Sequence, residues 1–397
     1  MADGPKYIGP TAPREDQLDA VVALSNSIFR SDGEGDMGRE YASLFRRDRL
    51  EQLRVFTLDD KPVSLVGVIV NDAVLLGCST RIACIGSVCT APSARNAGLA
   101  GRLMDDAIAR ARAGGASFMM ISGGLNLYRR RGASEAGRLW RYTLPNTLLK
   151  MLASGGRTSA GLEMARATDA DVPDILRLYE GEAIRFHRDE RAFVTSLNCG
   201  RLCNAPGVTY VLRRGRGGPA AAVIAVNTPH QSPRKQPNLA LREMAGDRLA
   251  ALAGVAQAAD EHHAATVEID AYPSDHTLAG AMAQLGVAPK TITSPCTTKV
   301  LDVDRLWRDF SPLIAGRIGD EALAAISIAS QADELAIHTL TFEMGRERWE
   351  VHGPRAIVSL FFGTPDGDEI ASASASIKQV LRRALPLPHI FYGHNYA

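Results

Sequence analysis

Residues 82–88, Ile-Ala-Cys-Ile-Gly-Ser-Val, form a mostly apolar run of strand length. The run leads through Cys89, Thr90, Ala91, Pro92, Ser93, Ala94, Arg95, Asn96, Ala97 and Gly98 into a segment where Leu99, Leu103, Ala107, Ile108 and Ala111 recur at helical spacing. Strand, glycine-bearing loop and helix start follow in that order. A loop opening onto a helix N-terminus aims several main-chain N–H groups one way, and the first donors of a helix have no partner inside it. An anion is favoured there, and the expected one is a pyrophosphate.

The flanking chain constrains the fold around that loop. Leu18, Val21, Val22, Ser25, Ile28 and Phe29 share one helical face over residues 17–30, and Tyr41, Leu44 and Phe45 mark a second helix. Strand signals follow at 53–58, 63–70, 74–77 and 82–88, with turns expected at Asp59-Asp60 and Asn71-Asp72. Strands joined by two-residue turns are antiparallel. The helix from Leu99 ends at Gly114-Gly115, and 118–122 is a short buried strand, so residues 82–122 predict one right-handed crossover between parallel strands. Tyr128, the run Arg129-Arg130-Arg131, then Gly132 and an alternating segment at 138–144 come next.

Composition limits the partners. With 45 basic and 44 acidic residues the net charge is +1, which supplies no field to recruit nucleic acid or an anionic membrane surface. No apolar run approaches the ~20 residues of a membrane-spanning helix. Six scattered cysteines, and a start lacking the pattern of a secretory signal, place the chain in a reduced, cytoplasmic compartment. At 397 residues two or three domains are expected. Cys199 and Cys203, and Glu261-His262-His263, lack the paired spacing of a zinc site, so no metal is expected. The Arg129 to Arg131 run is expected to be a solvated helix face.

The pattern Val88-x-Thr90-x-Pro92-x-x-Arg95-x-x-Gly98-x-Ala100, followed by Tyr128 ahead of Gly132, resembles the coenzyme A signature of the GNAT superfamily of N-acyltransferases. The resemblance covers about the first 150 residues. It implies that the main chain of Val88, Cys89 and Thr90 pairs with the pantetheine arm as an added strand. It also implies that Arg95, Asn96, Ala97, Gly98, Leu99 and Ala100 hold the pyrophosphate, Gly98 leaving room for the phosphates to approach. Tyr128 occupies the place of the family's general acid.

The rest of the chain echoes that order. Residues 165–179 look like the first strand and helix repeated, 210–213, 220–226 and 239–244 supply strands, and a helix at 248–261 precedes a strand at 266–271. Where the first copy has Arg95-x-x-Gly98, the second has Ala245-Gly246-Asp247-Arg248, and Asp247 sets a negative charge where a pyrophosphate would sit. This copy is therefore expected not to bind coenzyme A. From Val300 a helix is expected at 320–327, strands at 335–342 and 357–362, and a last helix at 376–384. That order resembles the sterol-carrier-protein-like domain of the acetyltransferases of the enhanced-intracellular-survival (Eis-like) type.

The expected fold class is accordingly α/β with mixed sheets: tandem GNAT folds over 1–150 and 151–299, then an α+β domain over 300–397. The resemblance implies an acetyl-CoA-dependent N-acetyltransferase acting on a small-molecule primary amine, assembled as a homo-oligomer such as a hexamer. An alkyl amine is almost wholly protonated at neutral pH, with a pKa of about 10.4, so a base is required. In proteins of this architecture the terminal carboxylate serves, which assigns Ala397; Glu135 and His394 are weaker alternatives. The apolar, aromatic ending suits a tucked-in terminus. The alternative function is a non-catalytic protein that senses acyl-CoA or binds an apolar ligand.

Overall fold

A computed structural model describes residues 5–154, 161–229, 238–363 and 368–395. Its contacts form two units: Met1–Gly137 with Ser294–Ile390, and Arg138–Thr293 with the segment from Phe391.

In the first unit β1 (Ile8–Thr11) precedes α1 (Leu18–Phe29), which buries Leu18, Val21, Leu24 and Ser25. The short α2 (Met37–Glu40) begins where the Asp36 carboxylate accepts from the Gly38 and Arg39 amides. The helix expected around Tyr41, Leu44 and Phe45 thus lies just ahead of them, and these three are buried anchors in the turn that follows. β2 (Leu53–Leu58) and β3 (Lys61–Leu75) join through Asp59 and Asp60, left-handed at φ 48° and 63°, as a two-residue hairpin requires. The next turn is not at Asn71-Asp72. Those residues pair with Ile82 and Arg81, and the chain reverses at Leu76 and Gly77, φ 52° and 83°, before β4 (Cys78–Thr90).

α3 (Leu99–Ala113) buries Leu99, Leu103, Met104, Ala107, Ile108 and Ala111. It ends in a Schellman motif: Gly115, at φ 80°, donates to the Arg112 carbonyl at 2.9 Å, and Ala116 donates to that of Ala111 at 3.0 Å. β5 (Phe118–Ile121) pairs parallel to β4, so the expected crossover is present. α4 (Asn126–Arg129) and β6 (Ser134–Glu135) follow.

The second unit contains β7 (Arg138–Pro145), α5 (Asn146–Ser154), β8 (Leu162–Arg166), α6 (Val172–Glu180), β9 (Ile184–Phe186), α7 (Glu190–Leu197) and β10 (Arg201–Leu202). Then come β11 (Ala205–Arg214), β12 (Ala220–Asn227), β13 (Asn238–Gly246), α8 (Arg248–Glu261), β14 (Thr266–Ala271), α9 (His276–Gln284) and β15 (Lys290–Thr293). β8, β11, β12 and β13 pair antiparallel in turn, whereas β13 and β14 pair parallel. That repeats the pattern of β1 to β5. Helix α8 is alanine-rich and buried on most sides, because small side chains let it lie close to the sheet through Ala250, Ala251, Ala258 and Ala259.

β16 (Thr297–Val300) returns to the first sheet, antiparallel to β5 and β6, and gives the order β1-β2-β3-β4-β5-β16-β6. α10 (Val303–Ile318) and α11 (Asp320–Ala324) lead to an antiparallel meander of β17 (Ile326–Ala332), β18 (Ile337–Met344) and β19 (Glu347–His352), and then to α12 (Pro354–Phe362) and α13 (Ala375–Ala384). The strand expected at 357–362 is a helix. Gly353 at φ 90° and Pro354 start it, and Ile357, Val358, Leu360, Phe361 and Phe362 are all buried, an apolar run whose periodicity fits strand and helix alike.

Candidate cofactor and active site

The site is built on a defect in the first sheet. Pairing of β3 with β4 steps from Leu65–Cys89 to Gly67–Gly86, so Ser87 and Val88 together oppose Val66 alone. This is a β-bulge, and Ser87 carries its strain at φ 53°, with its hydroxyl 2.6 Å from that of buried Ser25 on α1. Pairing of β4 with β5 covers Ile82–Phe118 to Ile85–Ile121 and then stops. From Gly86 to Thr90 that edge of β4 is left open by β5, which is what an amide-bearing arm needs in order to add itself as a strand. Sequence patterning carried no signal for the bulge, since a serine at positive φ looks like any other.

Beyond the open edge the chain turns at Pro92 and reaches Gly98, the left-handed N-cap of α3 at φ 74°. Among the described residues, the N–H groups of Asn96 to Gly101 have no main-chain or side-chain acceptor. Arg95, Asn96, Ala97 and Gly98 are exposed, Leu99 is buried in the core, and a Cβ placed on Gly98 would meet no protein atom within 4 Å. Glycine is therefore selected by its backbone and by the space in front of it. These residues fit a pyrophosphate: unpartnered donors at the positive end of a 15-residue helix, with clear access. The Arg95 guanidinium lies back against the Thr90 carbonyl at 3.4 Å, and the Thr90 hydroxyl meets that of Ser64 at 2.7 Å.

Tyr128 sits on α4 and is 4% exposed, packed in the same core as Leu99 and Leu103. Its carbonyl accepts from the Arg131 and Ala133 amides at 2.9 and 3.2 Å, which fixes the turn that carries it. Arg131 is no part of a solvated face: it binds Asp105 at 2.5 Å, the Gly101 carbonyl at 2.9 Å and the Leu127 carbonyl at 3.1 Å. It thereby ties the Tyr128 turn to the first turns of α3. The signal that was available is Gly101, an interior helix glycine where an added Cβ would stand 3.0 Å from the Arg131 guanidinium.

Cys89 lies in the cofactor strand, but burial pushes its thiol up to about 12, which leaves no thiolate for nucleophilic attack. Glu135 is an exposed surface acid 2.7 Å from Arg129. His394 belongs to the second unit, where its Nε2 meets the Thr209 hydroxyl at 2.9 Å and burial lowers its pKa to about 4. Ala397 lies outside the described residues. Among the described residues no group of three metal-ligating side chains occurs, and no helix is long and apolar enough to cross a membrane.

In the second unit Asp247 caps α8, accepting from the Leu249 and Ala250 amides at 2.9 and 3.1 Å and pairing with Arg214 at 2.6 Å. The donors that α3 leaves open are thus taken at α8 by a carboxylate of the chain itself.

Residues 11–136 match the family model described as an acetyltransferase (GNAT) domain. No curated protein matches the sequence. The fold is similar to that of a GCN5-related N-acetyltransferase from Kribbella flavida, at 17% identity over 96% of this chain and 95% of that one, TM-score 0.61. A GCN5-related N-acetyltransferase from Anabaena variabilis ATCC 29413 is 14% identical over 97% and 98%, TM-score 0.62. Eis1 from Mycobacterium abscessus is 14% identical over 86% and 88%, TM-score 0.52. At these identities the likeness is one of fold, and the fold is mixed α/β of GNAT type.

Proposed function

We propose that the chain is an acetyl-CoA-dependent N-acetyltransferase that passes an acetyl group directly to a primary amine. The observation that carries this is the conjunction, in one unit, of the open edge of β4, the unpartnered amides of Asn96 to Gly101 and the buried Tyr128. A GNAT fold supports acyl-CoA-dependent transfer in general.

Val88, Cys89 and Thr90 hold the pantetheine arm by main-chain pairing, and Arg95, Asn96, Ala97, Gly98, Leu99 and Ala100 hold the pyrophosphate. The amine attacks the thioester carbon only after losing its proton, which the terminal carboxylate of Ala397 takes. The departing thiolate, whose conjugate acid has a pKa near ~8.5 by analogy with cysteine, receives a proton from the Tyr128 hydroxyl. We assign residues 1–150 to the catalytic GNAT domain, 151–299 to a degenerate second copy and 300–397 to a sterol-carrier-protein-like domain, in a cytoplasmic homo-oligomer such as a hexamer. Asp247 at the N-cap of α8 supports the degeneracy of the second copy.

Thiol release from acetyl-CoA against a panel of amines tests the proposal. Turnover is expected with at least one amine, and Tyr128→Phe is expected to lower kcat by about 10²-fold or more while the KM for acetyl-CoA holds. Unchanged turnover removes Tyr128 from the mechanism; tight acetyl-CoA binding without turnover on any amine favours a sensing protein instead.

A further inference from the structure

The turn that follows Tyr128 is fastened from two sides through one residue. Arg131 directs its guanidinium at α3, where Nε donates to Asp105 Oδ1 at 2.5 Å and Nη2 to Asp105 Oδ2 at 3.0 Å, a two-pronged pair. Nη2 also donates to the Gly101 carbonyl at 2.9 Å. Gly101 and Asp105 stand four residues apart, so both acceptors lie on one face of the helix. Nη1 reaches back to the Leu127 carbonyl at 3.1 Å, and the Arg131 amide takes the Tyr128 carbonyl at 2.9 Å. Two successive carbonyls of α4 are thus answered by the same arginine.

The main chain of Arg131 is held from the sheet. Its carbonyl accepts from buried Lys299 on β16 at 2.6 Å, and at the next residue, Gly132 with φ 81°, an added Cβ would stand 2.6 Å from Pro354 on α12. The turn has little room to shift. Among the described residues Gly101 is also the last of the open amides at the start of α3, so the helix that offers donors to a pyrophosphate is the one that Arg131 grips. The Arg131 and Asp105 side chains are 18% and 35% exposed, and a pair this close to water adds little to stability.

We propose that Arg131, braced by Asp105, is a positioning residue that locks the Tyr128 turn to α3, so that the helix holding the cofactor's phosphates also sets where the Tyr128 hydroxyl stands. The catalytic part of this rests on Tyr128 being the general acid. Arg131 and Asp105 both act through it. A lysine cannot replace the arginine, because an ammonium is a compact point donor that does not span Asp105, Gly101 and Leu127 as a planar fork does.

Two full-length variants, Arg131→Lys and Asp105→Ala, are each made in the native chain and in Tyr128→Phe. The readouts are kcat and the KM for acetyl-CoA, with an amine that the chain turns over, and the thermal unfolding midpoint. In the native background each variant is expected to lower kcat by about tenfold or more, with KM and the midpoint unchanged, since a small misplacement of a catalytic group costs rate rather than binding. In Tyr128→Phe neither is expected to lower kcat further. Native kcat in Arg131→Lys and Asp105→Ala beside a slow Tyr128→Phe overturns the positioning role alone, as does an equal fall with and without the Tyr128 hydroxyl. Native kcat in Tyr128→Phe removes the acid and the positioning role together. Asp105→Ala favours the helix it sits on, so it decides the matter even if Arg131→Lys does not fold.

Discussion

At the scale of single residues, the side chains that matter most are those whose surroundings change their chemistry. Lys299 is 1% exposed on β16, and its ammonium donates to the Arg131 carbonyl at 2.6 Å, in the turn that carries Tyr128. Burial pushes its pKa down to about 8. An unfolded lysine titrates near ~10.4, so between these values the unfolded chain binds the extra proton and native stability rises with pH. Below pH 8 the cost is fully present, on the order of 3 kcal/mol. Lys299→Met removes that dependence: the variant-minus-native difference in unfolding free energy, from urea titrations, is expected to fall by about 2 kcal/mol between pH 8 and pH 10. A constant difference across that window contradicts the assignment. Gly98 and Cys89 were legible in sequence, one from its place before a helical face, the other from its place inside a strand. Arg131 was not, because an arginine's role is set by which carbonyls and carboxylates the fold brings to it.

Elements follow the same division between local and non-local causes. α3 was readable because its apolar spacing and end signals are local, and the Schellman motif at Gly115 shows how strongly. Gly115→Ala places a Cβ on a left-handed residue, 3.2 Å from Arg305, and is expected to cost about 1–2 kcal/mol in urea unfolding; no measurable loss contradicts the cap. α12 was misread as a strand because its burial comes from long-range packing, which erases the polar face that would have revealed its period. The turn at Leu76-Gly77 was displaced to Asn71-Asp72 because those two residues favour turns alone but are held extended by Ile82 and Arg81 across the ladder.

For the whole molecule, one strand pattern is used twice with opposite outcomes. The first unit leaves a bulge, an open edge and bare helix amides; in the second, Asp247 takes the amides at the start of α8. The repeated strand order was visible in sequence from the order of elements, and Asp247, singled out there by its charge, is the N-cap of α8. The bond from the His394 N–H to Glu243 was not visible, since the two lie 151 positions apart and no local pattern joins them. A single competent cofactor site per chain is therefore expected. Calorimetric titration of coenzyme A into the full-length protein measures that directly. One molecule bound per chain, lost in Gly98→Glu and retained in Asp247→Ala, is the predicted result; two molecules per chain, or tight binding that survives Gly98→Glu, contradicts it.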